Sequence, residues 1–130
     1  MRPPQAPDPL SARVRAYFTS LPGAGTPPPD EAGWRTGRAG SEAAEAVVVV
    51  HLRLSPSGQL LALRYQAWGC PHVLATLAWL AEVWPGQPGS ALPAGGPQGW
   101  ARELDVPVEK LGRLLVIEDA VRAAIEGPKA

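Results

Sequence analysis

The chain has 130 residues, enough for one domain with a hydrophobic core and too few for two domains of ordinary size. Twelve Lys and Arg balance twelve Asp and Glu, and without a basic cluster we expect no nucleic-acid partner. One cysteine cannot form an internal disulfide, and with two histidines it cannot complete a four-ligand structural zinc site. No apolar stretch approaches the length of a membrane span, so we expect a soluble, cytoplasmic protein that does not bind membranes.

The first third of the chain contains little periodic sequence. The 14 glycines and 16 prolines of the chain indicate long irregular segments, and many of the prolines fall near the N-terminus. Apolar residues at helical spacing predict one short amphipathic helix over Leu10 to Leu21. Residues 1–9 and 22–45 are expected to be irregular, because they are rich in Pro and Gly and show no apolar repeat.

A β-hairpin is predicted in the middle of the chain. Val47 to Leu54 and Leu60 to Trp68 are rich in branched and aromatic side chains, and Ser55 to Gly58 has the composition of a turn. Alternation along the first strand places its apolar side chains on one face of the sheet. His51 and Arg53 lie on the other face, where we expect exposed polar side chains.

Helices are predicted for most of the remaining sequence. Apolar residues recur at helical spacing after Cys70 as far as Trp84, and residues 85–99 are expected to form a flexible loop. A short helix is predicted over Trp100 to Leu104, and a longer one begins after Pro107. This order of elements predicts an α+β fold in which helices cover one face of a small antiparallel sheet.

Cys70 is the residue whose position most suggests chemistry. It follows a predicted strand and precedes Pro71, which suits the first position of a helix. A helix N-terminus stabilises a thiolate, the form of cysteine that attacks electrophiles and binds metals. A lone cysteine can equally be a small buried apolar side chain. His72 can approach the sulfur or share a metal with it, or it can simply face solvent on the helix.

Two segments of this sequence resemble the U-type iron-sulfur cluster scaffold proteins, the IscU and NifU N-terminal family. Gly58 to Glu82 is similar to that family's strand, Gly-Cys and helix segment, and Pro107 to Ile125 is similar to its last helix. Val106 to Lys110 partly matches the family's chaperone-recognition segment. The resemblance implies one NifU N-terminal-like domain over 1–130, with a SufE/NifU-like fold. It also implies a cytoplasmic, non-enzymatic protein whose partner is a cysteine desulfurase or another iron-sulfur assembly protein.

The sequence departs from that family at most of its cluster ligands. Of the three cysteines that the resemblance leads us to expect, only the middle one is present, as Cys70. The first cysteine and its nearby aspartate align with Ala44 and Ala46, and the third cysteine aligns with Arg113. If the fold is kept, Arg113 brings a positive charge near Cys70, which favours a thiolate or persulfide over a cationic metal centre.

The resemblance leaves a weak metal site as one hypothesis. In this hypothesis the protein is a scaffold that binds iron or an iron-sulfur cluster through Cys70, with His72 and Asp119 as further ligands. One cysteine cannot hold a cluster alone, since a cluster needs four ligands and thiolates are the usual ones. A homodimer would present two copies of Cys70 and His72. The degenerate ligand positions equally leave open that no cofactor is bound.

Two other hypotheses need no metal. In the first, Cys70 is the single cysteine of a sulfur acceptor, which takes a persulfide from a desulfurase as SufE-type proteins do. In the second, the protein is a non-catalytic interaction module of the assembly machinery. Its partner would bind the apolar surface around Trp68, Trp79 and Trp84, unless these tryptophans pack in the core.

Overall fold

The computed structural model describes residues 10–126, and its first element is helix α1, Ala12–Ser20. Ser11 begins this helix, because its side-chain oxygen accepts a hydrogen bond from the backbone N–H of Val14 at 3.1 Å. Leu21 ends it in a left-handed conformation with φ of 46°. The short helix predicted at this place is present. The predicted irregular segment 1–9 lies outside the described residues.

Three antiparallel strands form one sheet in the order β1-β2-β3, with β1 at Trp34–Ser41, β2 at Ala46–Leu54 and β3 at Leu60–Trp68. In the middle of the sheet Gly37 pairs with Val50, which pairs with Tyr65 on its other side. The predicted hairpin is therefore present as β2 and β3, with its apolar face buried.

Strand β1 corrects the expectation that residues 22–45 are irregular. Its sequence, Trp-Arg-Thr-Gly-Arg-Ala-Gly-Ser, contains a single β-branched residue, Thr36, and two glycines that weaken the strand signal, so its conformation depends on pairing with β2. Gly37 also allows a helix to approach closely. A Cβ atom at Gly37 would overlap the backbone of Ala120 and Ala124. Glycine in β1 therefore weakens the strand pattern in the sequence and also allows the close packing of β1 against α4.

Helix α2, Pro71–Val83, and helix α4, Leu111–Glu126, cover one face of the sheet, and helix α3, Pro97–Leu104, packs beside α4. A single 3₁₀ turn, Val108–Lys110, precedes α4. The apolar face of the sheet and the inner faces of these helices form the core. This arrangement confirms the predicted α+β fold with helices on one face of a small antiparallel sheet. Within residues 10–126, no helix combines the length and apolar character needed to cross a membrane.

The segment 85–99, expected to be a flexible loop, is hydrogen-bonded to the sheet. The backbone N–H of Leu60 on β3 donates to the backbone carbonyl of Gln87 at 2.8 Å. Farther along the segment, the carbonyl of Pro93 accepts a hydrogen bond from the indole N–H of Trp100 at 2.7 Å. The segment also contains a 3₁₀ turn, Pro93–Gly95, and the first residues of α3. Helix α3 therefore begins at Pro97, before the Trp100 start that apolar spacing predicted.

Of the three tryptophans considered for a docking surface, two lie in the core and one is exposed to solvent. Trp79 and Trp84 are buried in the core, where α2 contacts the sheet. Trp68, at the end of β3, is 58% exposed. A partner that used tryptophans here would therefore meet Trp68 and not the other two.

Candidate functional site

Cys70 lies where the sheet meets a helix, as its sequence neighbours predict. It follows β3 and occupies the N-cap position of α2, in an extended conformation with φ of −79° and ψ of 167°. Its carbonyl accepts the N–H of Val73 at 3.0 Å, and Pro71 fills the first helical position. The side chain is half-buried against the edge of the core, so the sulfur is neither sealed in hydrocarbon nor fully in water.

His72 lies beside Cys70 but does not face solvent. Its Nδ1 atom is 3.9 Å from the Cys70 sulfur, and the residue is only 2% exposed. The expectation of a solvent-facing histidine is wrong, because α2 is buried on most of its circumference between the sheet, α1 and α4. Apolar residues at helical spacing predict one buried face, whereas this helix is buried on more than one face.

Arg113, in the first turn of α4, bridges Cys70 and the turn between β1 and β2. The pKa of Arg113 is raised above its ordinary value, first by a hydrogen bond with Cys70 and then by the charges of Cys70 and Glu45. Its Nη2 atom also binds a carboxylate oxygen of Glu45 at 2.9 Å, with the arginine side chain 20% exposed. The guanidinium therefore has a sulfur on one side and a carboxylate on the other.

The turn that carries Glu45 joins β1 to β2 and contains Ala44, which the sequence resemblance aligns with a cysteine of the resembled family. Glu45 adopts a left-handed conformation with φ of 59°, and its N–H donates to the carbonyl of Glu42 at 2.9 Å. Ala44 is exposed, whereas Ala46 is buried in the core at the start of β2. No sequence pattern predicted a role for Glu45. The available signal was an acidic residue between Ala44 and Ala46, the two positions that the resemblance had already singled out together with Arg113.

The oxygen ligand suggested for a metal, Asp119, does not join this group, and neither does its neighbour Glu118. Asp119 is exposed on α4, and Glu118 binds Arg122 at 2.9 Å in an ordinary pair along the helix. Across residues 10–126, no three or more His, Cys, Asp or Glu side chains gather in an arrangement that could hold a metal ion. The structure thus places Cys70, His72 and Arg113 together and leaves Asp119 apart from them.

His51 corrects a second expectation, that it is exposed. It is 7% exposed, and its ring contacts Thr36 on β1 and Gln66 on β3. The distances are 2.8 Å from Nδ1 to the threonine hydroxyl and 3.1 Å from Nε2 to the glutamine oxygen. The prediction failed because β1, which covers one side of His51, was not expected from the sequence.

Comparison with known proteins gives likeness in structure and none in sequence. No family model matches the chain, and no curated protein sequence matches it. A solved structure from the thermophile Fervidobacterium islandicum AW-1, described as a candidate iron-sulfur cluster assembly scaffold protein for the SUF system, is similar with a TM-score of 0.63. The two share 9% sequence identity over 88% of this chain and 95% of that one.

A second similar structure is the N-terminal part of a nitrogen-fixing NifU-like protein from Brucella abortus. Its TM-score is 0.53, with 15% identity over 88% of this chain and 83% of that one. These likenesses show that residues from α1 to α4 have the SufU and NifU-like fold that the sequence resemblance implied.

Proposed function

We propose that this protein acts in iron-sulfur cluster assembly as a sulfur carrier, with Cys70 accepting sulfur as a persulfide. The proposal is supported by the position of Arg113, whose guanidinium lies beside Cys70 so that the sulfur raises the pKa of the arginine. A permanent positive charge beside a sulfur atom favours its anionic forms, the thiolate and the persulfide anion. The same charge repels an iron cation from the same atom.

The residues around Cys70 support a carrier better than a cluster site. A cluster needs four ligands, most often thiolates, and this chain offers alanine at Ala44 and Ala46 and a cation at Arg113. Sulfur transfer needs one thiolate and an open approach to it. Cys70 is half-buried, which leaves its sulfur open to approach, and it has the positive charge of Arg113 beside it.

The proposed transfer is a thiol exchange with a persulfide donor. The Cys70 thiolate attacks the outer sulfur of the donor's cysteine persulfide, a new S–S bond forms at Cys70, and the donor's S–S bond breaks. The donor leaves as a thiolate and Cys70 carries the persulfide, so sulfur moves without net oxidation or reduction. Arg113 stabilises the anion on Cys70 before and after transfer. A cysteine desulfurase in the cytoplasm is the expected donor, and an iron-sulfur assembly protein the expected recipient.

The test is direct detection of the persulfide. Incubating the protein with a cysteine desulfurase and free cysteine should add the mass of one sulfur atom to the peptide that contains Cys70. Reduction should remove the added mass, and Cys70→Ser should abolish it because the chain has no other cysteine. An unmodified Cys70 after incubation with active desulfurases of more than one type would contradict the proposal.

A second function, weak binding of iron or a cluster, is favoured by the 3.9 Å approach of His72 Nδ1 to the Cys70 sulfur. Two such pairs in a homodimer would supply four ligands. Anaerobic reconstitution with iron and sulfide should then give a visible charge-transfer band that is absent from Cys70→Ala and His72→Ala. The band should also appear only in dimeric protein, and a colourless dimer would exclude this function.

A further inference from the structure

Among residues 10–126, helices pack on one face of the sheet only, and we call the other face the open face. It is the side that carries Val47, Val49, His51 and Arg53 of β2, together with their cross-strand partners on β1 and β3. Helix α4 lies on the opposite side, where Gly37 contacts it. The open face is therefore available to another molecule across all three strands.

The open face is positively charged although the whole chain is neutral. Its strand positions carry three arginines, Arg38, Arg53 and Arg64, and no aspartate or glutamate. Arg53 is neutralised by Glu31 at 3.4 Å. Among the described residues, neither Arg38 nor Arg64 forms an ion pair with a carboxylate. Two unneutralised guanidinium groups thus lie on diagonal positions of one sheet surface.

Three polar side chains joined by hydrogen bonds cross the centre of the open face. His51 links Thr36 on β1 to Gln66 on β3, so one hydrogen-bonded line crosses the three strands. Because the histidine ring is buried and bonded on both sides, its position is set without a ligand. The arginines on either side therefore project from a rigid support, which lowers the entropy cost of binding.

An exposed aromatic side chain lies on the same face of the sheet as the arginines. Trp68 lies at one end of β3 and is 58% exposed, next to half-buried Val47 on the neighbouring strand. Arginine and tryptophan are the residue types that most often dominate the energy of protein interfaces. The surface thus offers an apolar contact and a positive charge together.

We propose that the open face is a docking surface for an acidic segment of a partner protein. Carboxylates of that segment bind Arg38 and Arg64, whose planar guanidinium groups suit paired contacts with carboxylate oxygens. Trp68 adds an apolar contact at the edge of the surface. A protein segment fits better than a nucleic acid, because two isolated charges beside a neutral surface neutralise too few phosphates to bind a backbone firmly. The proposal does not depend on sulfur transfer and applies equally to a Cys70→Ser protein.

The experiment measures binding of a capped oligoglutamate peptide to the isotope-labelled full chain by backbone amide shifts in NMR spectra at low salt. Shifts should concentrate on β1, β2 and β3. The double variant Arg38→Gln/Arg64→Gln should raise the dissociation constant of the peptide about fivefold. This is the combined effect expected when two solvent-exposed charge pairs are lost. Raising the salt concentration to the physiological range should weaken binding of the unaltered protein, which tests the electrostatic origin without any substitution.

The matched control is Arg102→Gln, since Arg102 is an exposed arginine on α3 without an ion pair among the described residues. It should bind the peptide as the unaltered protein does. Equal binding by the double variant and the unaltered protein would overturn the proposal, as would shifts centred on α3. Tighter binding of an oligothymidylate of equal charge to the same strands would overturn the choice of a protein segment.

Discussion

The two ends of helix α4 perform different tasks. Near its C-terminal end, Ala120 and Ala124 lie against Gly37 so closely that backbone meets backbone. In its first turn, Arg113 lies beside the half-buried sulfur of Cys70 and binds the exposed carboxylate of Glu45. The first end holds the helix on the sheet and the second sets the charge around Cys70. The comparison teaches that the packing of α4 on the sheet and the charge beside Cys70 depend on different residues at opposite ends of one helix.

The largest expected effect comes from disturbing the packed end. Gly37→Ala should destabilise the protein by about 3 kcal/mol, because the added Cβ would force α4 away from β1. Urea unfolding followed by circular dichroism measures the change. The control is Gly112→Ala in the first turn of α4, where a Cβ meets nothing within 4 Å and should stabilise the helix slightly. Equal stability of the Gly37 and Gly112 variants would remove the distinction between the two ends.

At the polar end, Arg113→Gln should slow alkylation of Cys70 by iodoacetamide about tenfold at neutral pH, because the neighbouring charge that favours the thiolate is lost. Stability should change little, since Arg113 is not part of the core. The control is Arg122→Gln, which breaks another ion pair on the same helix. If alkylation proceeds at the same rate in all three proteins, Arg113 does not govern the sulfur.

Tyr65, on the core face of the sheet, should make the stability of the protein depend on pH in the alkaline range. Burial raises the pKa of Tyr65 to about 12 from an ordinary value of 10, because the charged phenolate is disfavoured away from water. Stability should stay level up to pH 10 and fall as the pH rises toward the folded-state value. Alkaline urea titrations should show a shallower fall for Tyr65→Phe. A fall of equal steepness would assign the alkaline loss to other groups.

The smallest expected effect concerns the carboxylate that shares Arg113. Glu45→Gln should speed alkylation of Cys70 about twofold, because removing a nearby negative charge leaves the guanidinium less neutralised. Glu42→Gln, in the same exposed turn, should leave the rate unchanged. Slower alkylation of the Glu45 variant would mean that Glu45 acts chiefly by holding Arg113 in place.

Sequence patterns predicted the elements whose conformation is encoded locally. The hairpin β2–β3 follows from branched residues and a turn, and Cys70 before Pro71 marks the start of α2. Strand β1 was missed because its conformation depends on a partner strand and on the closeness that Gly37 allows. A strand of this kind shows no apolar alternation to detect.

The candidate site was predictable only where a family register existed. That register alone directed attention to Arg113 beside Cys70, since the two residues are far apart in the chain and no local pattern joins them. Glu45 was missed because a charged residue in a turn normally signals only exposure. His72 was misplaced because its burial depends on how several elements surround α2.

Pro71 has a consequence for how this site can evolve. Proline has no backbone N–H, and the amide of Val73 is already bonded to the carbonyl of Cys70. The main chain of α2 therefore contributes few directed donors to a negative sulfur, and most of that role passes to a side chain from a distant part of the sequence. We therefore expect a single substitution at position 113 to change the charge beside the thiol while the backbone that holds the thiol stays the same.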